Sequence, residues 1–160
     1  MRKGSTSELT RIGMLAGLYA VLTVLPPFSG FSYGPIQIRV AEMFAVLPFV
    51  YPWAKWGLYL GCILANLGSP FFIWDVTIGA LATLLSAYLT EKMPNPYLAP
   101  MPPVIVNAIF VSSYVSFLSG LGYPIVLAQI FLGEVVSCYI LGLPLLLFLV
   151  RNPAFTEKLK

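Results

Sequence analysis

"IVLAQIFLGEVVSCYILGLPLLLFLV", Ile125–Val150, is the stretch that decides the fold. It exceeds the ~20 residues that a helical membrane crossing needs, and Glu134 is its single charged side chain. Its residues do not alternate apolar with polar, as barrel strands must, and neither does "GALATLLSAYL", Gly79–Leu89. Only 9% of the chain is charged and 59% is hydrophobic, with a mean hydropathy of +0.88. Soluble domains carry about 25% charged residues. Apolar sequence persists to Val150, whereas a signal peptide has one short apolar core and then a soluble domain. The expectation is an all-α integral membrane protein.

Prolines, glycines and charges divide the remainder into one membrane domain, 1–160, with helices at about 9–25, 40–51, 56–67, 74–89, 104–118 and 125–150. Pro26-Pro27 stops the first, because proline disfavours helix at its predecessor. Pro52, "NLGSP", "TEKMPNPYLAPMPP" and "SGLGYP" separate the others, and Gly142 and Pro144 are expected to bend the last. The second and third are short, so flanking sequence or local thinning of the bilayer must complete their crossings. With six crossings and both termini cytoplasmic, Arg2, Lys3, Arg11, Lys55, Lys92, Arg151, Lys158 and Lys160 fall inside, as the positive-inside rule requires. Among the nine basic residues, only Arg39 falls outside.

Several functions are excluded by what the sequence lacks. The chain has no histidine, and Cys62 and Cys138 sit within apolar runs, which speaks against a metal, a haem or a disulfide framework. There is no GxxxxGK[ST] loop, HExxH or GxSxG, so neither ATP hydrolysis by that route nor a recognisable enzyme is expected, and no cofactor. The net charge of +3 lies mostly at the two ends, where it reports topology and not a nucleic-acid surface. No inverted repeat of the secondary-transporter kind is evident.

The polar residues that remain cluster on the outer half of this topology. Arg39 and Glu42 lie three apart, Asp75 opens the fourth helix, and Glu134 is the tenth residue of the sixth. Asn107 and Gln129 are amides on the fifth and sixth. Ionisable groups at such depth face a bundle interior or a watery cavity and pair there, so one external pocket is expected. Arg39 and Glu42 could instead pair only with each other, and Asp75 could act only as a helix cap. Glu134 has no basic neighbour within a turn. Asn107, Phe110 and Tyr114 share helical spacing, a pattern of packing or of a polar group beside aromatics. "YGPIQIRVAE", Tyr33–Glu42, is expected to form the rim of the pocket, with Gln37 reaching the ligand. On the first helix Gly13, Ala16, Gly17 and Ala20 make two overlapping small-xxx-small patterns, which allow another helix to approach closely. That face serves either packing in the bundle or docking of a partner.

"YGPIQIRVAEMFAVLPF", "WGLYLGCILANLGSP", "WDVTIGALATLLSAYLT" and "GEVVSCYILGLPL" together resemble QueT-type proteins, the S components of energy-coupling factor transporters for queuosine precursors. The resemblance runs from Leu9 to about Val150. It implies a six-helix S-component bundle in a bacterial cell membrane. It also implies docking through the first helix onto a transmembrane coupling subunit driven by two cytoplasmic ATPases, and substrate capture outside followed by toppling in the bilayer. The implied ligand is 7-aminomethyl-7-deazaguanine, queuine or a related deazapurine. Glu134 is then expected at the guanidine-like edge, with Glu42, Asp75, Arg39, Gln37, Asn107 and Gln129 around it. Bulky changes at Ala16 or Ala20 are expected to leave ligand binding intact and stop uptake. The competing readings are an S component for another vitamin or purine-like nutrient, a membrane-embedded enzyme, and a non-transport membrane scaffold.

Overall fold

The structure, a computed structural model, describes residues 3–25 and 38–152, without the side chains of residues 3–5. Pro26-Pro27 and the first half of "YGPIQIRVAE", up to and including Gln37, lie outside the described residues. Among those described there is no strand, and the helices join into six rods. These are α1 (Lys3–Val24), α2 (Val40–Phe49), α3 (Ala54–Ala65), α4 (Phe72–Glu91), α5 (Met101–Ser119) and α6 (Tyr123–Arg151). The last three are long and apolar enough to cross a membrane, and α2 is a shorter apolar helix.

Helix α2 differs in kind from its neighbours, being 3-10 throughout. A 3-10 helix rises ~2.0 Å per residue against ~1.5 Å in an α-helix, so ten residues reach about a third further. Three residues per turn also stack positions three apart, and Glu42, Ala45 and Pro48 form one buried stripe. This short rod touches α1, α3, α4 and α6.

Two π-helical stretches interrupt the long helices, Asp75–Gly79 in α4 and Val135–Gly142 in α6. A π turn inserts a residue and re-aims the side chains beyond it, and such bulges recur at functional sites. Where the sequence suggested a bend at Gly142 and Pro144, the wider turn of α6 ends at Gly142 and Pro144 lies in the α-helical turn after it. Helix α5 begins with Pro102 and Pro103, whose missing N–H groups cost nothing in a first turn. It closes at Gly120, whose left-handed φ of 71° turns the chain while its N–H bonds to Ser116 O.

The main core joins Leu15 and Tyr19 of α1, Val46 and Leu47 of α2, Leu58 and Cys62 of α3, Ala80 and Ala87 of α4 and Leu146 of α6. A second cluster, Val111, Tyr114, Val115, Val126 and Ile130, binds α5 to α6. The outward surface stays apolar, including Leu60, Leu64, Leu81, Leu85, Ile105, Ile109, Ile140 and Phe148. Such a continuous belt suits lipid and would be an aggregation hazard in water.

Helix contacts are closest at glycines. A Cβ at Gly61 would lie 2.8 Å from Tyr19 Cβ and 3.1 Å from Ala16 O, so α1 and α3 meet almost backbone to backbone. Gly57, one turn earlier, faces Leu15 in the same way. The small-residue pattern of α1 is thereby divided. Ala16 is 3% exposed and packs inward on α3, and Ala20 packs against the main core. Gly13 is exposed and Gly17 half-buried, with nothing within 4 Å of an added Cβ at either.

Candidate functional site

Arg39, Glu42, Gly79, Thr83, Asn107, Val111, Ile130 and Glu134 line one cavity of about 10 Å³. The polar side chains arrive from four helices or their ends: Arg39 and Glu42 at the start of α2, Thr83 of α4, Asn107 of α5 and Glu134 of α6. The site borders the second apolar cluster through Val111 and Ile130.

Glu42 lies in the first turn of α2 and is buried. Its Oε1 accepts a hydrogen bond from the Tyr19 hydroxyl of α1, and Tyr19 is wholly buried. Arg39 precedes the helix proper. It occupies the N-cap in extended conformation, and its carbonyl oxygen accepts from Glu42 N at 2.9 Å. Both side chains nevertheless line the cavity. The guanidinium also lies within electrostatic reach of Asp75 and the Tyr114 hydroxyl.

Glu134 is the last residue before the π stretch of α6. Asn107 Nδ2 donates to Glu134 Oε1 at 3.0 Å. Cys138, four residues on, places Sγ 3.5 Å from both Glu134 Oε2 and the backbone oxygen of Glu42. The thiol is a weak donor, but it joins α6 to α2 directly beneath the two carboxylates.

Asp75 is neither a simple cap nor a wall of this cavity. Helix α4 starts at Phe72, and Asp75 opens its π stretch, buried, with both oxygens engaged. Ser69 Oγ donates to Oδ2 and the Tyr114 hydroxyl to Oδ1. Ser69 Oγ accepts in turn from Phe71 N at 3.1 Å. Trp74 stacks on Tyr114 with centroids 6.3 Å apart. Gly79 makes this approach possible, because a Cβ there would stand 3.2 Å from the Tyr114 hydroxyl. Asp75 thus braces α4 against α5 beside the cavity.

The structure brings Arg39, Glu42, Asn107 and Glu134 together and sets Asp75 next to them. Gln129 is half-buried and off the cavity wall. Of the Asn107–Phe110–Tyr114 stripe, the first and last point inward while Phe110 is exposed. Tyr19, Ser69, Gly79 and Thr83 were not singled out by their sequence, and Cys138 was read there only as a thiol within an apolar run. Nothing in the local pattern marks them, since each acts through a partner on another helix or another turn. No group of residues suited to a metal ion occurs among the described residues, and Cys62 and Cys138 are buried free thiols.

Comparison with known proteins bears on this arrangement. The family described as "QueT transporter" matches residues 9–151. The chain belongs to the QueT transporter family. It is also similar to the queuosine precursor transporter QueT of Lactococcus lactis subsp. cremoris (strain MG1363), at 40% identity over 86 residues. That match spans 53% of this chain and 50% of the relative, about half of each. No solved structure matches the chain at a significant level. The QueT match covers every residue of the cavity wall.

Chemically, the cluster offers carboxylate and amide acceptors and one guanidinium donor. That set suits the reversible capture of a donor-rich solute. The cavity has room for about one water molecule. Any solute larger than water would need the walls to part.

Proposed function

We propose that this chain is the substrate-binding membrane subunit, an S component, of an energy-coupling factor importer for a queuosine precursor. The observation that carries this reading is the convergence of Arg39, Glu42, Asn107 and Glu134 on one buried cavity. It lies inside an apolar bundle of the QueT transporter family. Buried charge in a membrane is costly and marks solute pathways. The similar lactococcal protein carries the name of a queuosine precursor transporter.

The ligand is a deazapurine such as 7-aminomethyl-7-deazaguanine or queuine. Its guanine-like edge presents two parallel donors, which the Glu134 carboxylate accepts in bidentate fashion as Asn107 gives way. Arg39 donates to the ring carbonyl. The chain crosses the bilayer six times with both ends cytoplasmic, and the cavity lies in its outer half. The Lys55–Glu91 ion pair, 2.7 Å, then lies at the cytoplasmic side together with Lys92. Without a phosphate-binding loop the chain needs ATPases supplied by partners. A coupling subunit docks on α1, where Gly13 and Gly17 leave the closest approach open.

Native mass spectrometry of protein purified gently from cells tests the assignment. A deazaguanine mass should leave with the wild-type chain and be lost from Glu134→Gln. Unchanged affinity of folded Glu134→Gln for 7-aminomethyl-7-deazaguanine would refute the role given to Glu134.

A further inference from the structure

Among the acceptor atoms of the cavity-lining residues, Glu42 Oε2 and Asn107 Oδ1 are buried and meet no protein partner. Their residues are 2% and 3% exposed. The remaining atoms of both side chains are committed. Glu42 Oε1 is held by the Tyr19 hydroxyl, and Asn107 Nδ2 by Glu134 Oε1. The amide turns its NH2 towards Glu134 and leaves its oxygen as a second open acceptor. Leaving a buried acceptor unmatched is unfavourable, and both belong to residues on the cavity wall. The same wall carries two carboxylates and one guanidinium. With Asp75 beside the same guanidinium, negative groups outnumber positive ones, and a ligand that brings a positive charge offsets part of that excess where a neutral one does not. Glu134 is the poorer receiver for that charge, because both its oxygens already face donors in Asn107 and Cys138.

We propose that Glu42 is the specificity-determining residue of this site: its open oxygen receives a protonated amine of the ligand, so the site selects cationic over neutral congeners. The heterocycle then satisfies Asn107 and Glu134. Tyr19 holds Glu42 from α1 and aims its second oxygen at the cavity. This inference rests on the deazapurine reading and narrows it to amine-bearing compounds.

The full-length chain in detergent or nanodiscs at pH 7 can be titrated calorimetrically with 7-aminomethyl-7-deazaguanine and with its neutral 7-cyano counterpart. The wild type should prefer the amine. Glu42→Gln, nearly isosteric, should weaken amine binding by about 10- to 100-fold, the range expected for a hydrogen bond to a charged group. It should weaken the nitrile far less, so that the ratio of the two affinities collapses. Glu134→Gln should weaken both and keep the ratio. Should Glu42→Gln fail to fold, Glu42→Asp retains the charge but withdraws the oxygen, and it too should lower the ratio. A wild type that prefers the nitrile, or a ratio unmoved in folded Glu42→Gln or Glu42→Asp, overturns the inference alone. A wild type that binds neither compound overturns the deazapurine reading and this inference with it.

Discussion

Gly142→Ala tests the packing that places Glu42. A Cβ at Gly142 would lie 2.9 Å from Met43 O, 3.2 Å from Val46 Cγ1 and 3.4 Å from Met43 Cα. Carbon contacts are most favourable at about 3.5–4.0 Å, and two of these three neighbours are backbone, which no rotamer change can move. Helix α2 must therefore shift away from α6. Overpacking of this kind costs about 1–3 kcal/mol. Alanine also gains helix propensity of up to about 1 kcal/mol over glycine, which would mask part of that cost. Gly17→Ala supplies the reference, since it makes the same change in a helix with nothing within 4 Å. The propensity gain cancels between the two, leaving a gap of about 1–3 kcal/mol. At ~2–4 °C per kcal/mol for a chain of this size, Gly142→Ala should melt several degrees below Gly17→Ala. Thermal unfolding in one detergent, followed by intrinsic fluorescence, reads the difference. Because Met43 adjoins Glu42, affinity for the amine ligand should fall as well. If Gly142→Ala melts at or above Gly17→Ala, the close approach of α2 to α6 is wrong.

Tyr114→Phe removes a donor from the buried Asp75 carboxylate. It should cost about 1.5–3 kcal/mol by the same melting assay, whereas loss of the exposed Ser113 hydroxyl should be nearly silent. The division of the α1 face changes what bulky substitutions there should do. Ala16→Trp, directed into α3, should impair folding and ligand binding together. Gly17→Trp should leave ligand binding intact and abolish uptake in cells, and equal loss of binding in a folded Gly17→Trp chain would place that residue in the bundle interior.

The QueT transporter family and the helical membrane class were legible in the sequence because both are carried along the chain. Mean hydropathy and the lack of alternation need no neighbour to be read. The candidate acids were legible for a related reason: Glu42 and Glu134 are expensive where apolar residues surround them, so their presence demands a partner. Which partner was not legible. Tyr19 reaches Glu42 across 23 positions, Asn107 reaches Glu134 across 27, and Tyr114 reaches Asp75 across 39.

Helix rotation separates the two kinds of knowledge. In water, the apolar face of a helix is its buried face, and periodicity reveals it. In a bilayer, lipid is as apolar as the interior of the bundle. Leu60 and Leu58 are then alike in sequence although one is exposed and the other buried. For that reason Ala16 and Gly17 looked equivalent until α3 was seen against one of them. The 3-10 winding of α2 and the π turns beside Asp75 and Glu134 are likewise products of packing, since no local propensity specifies them. Hydropathy along the chain is enough to require a helical membrane protein with costly acids to satisfy. Only the packing of the rods against one another turns particular helix faces inward, and so selects which of those acids share a cavity.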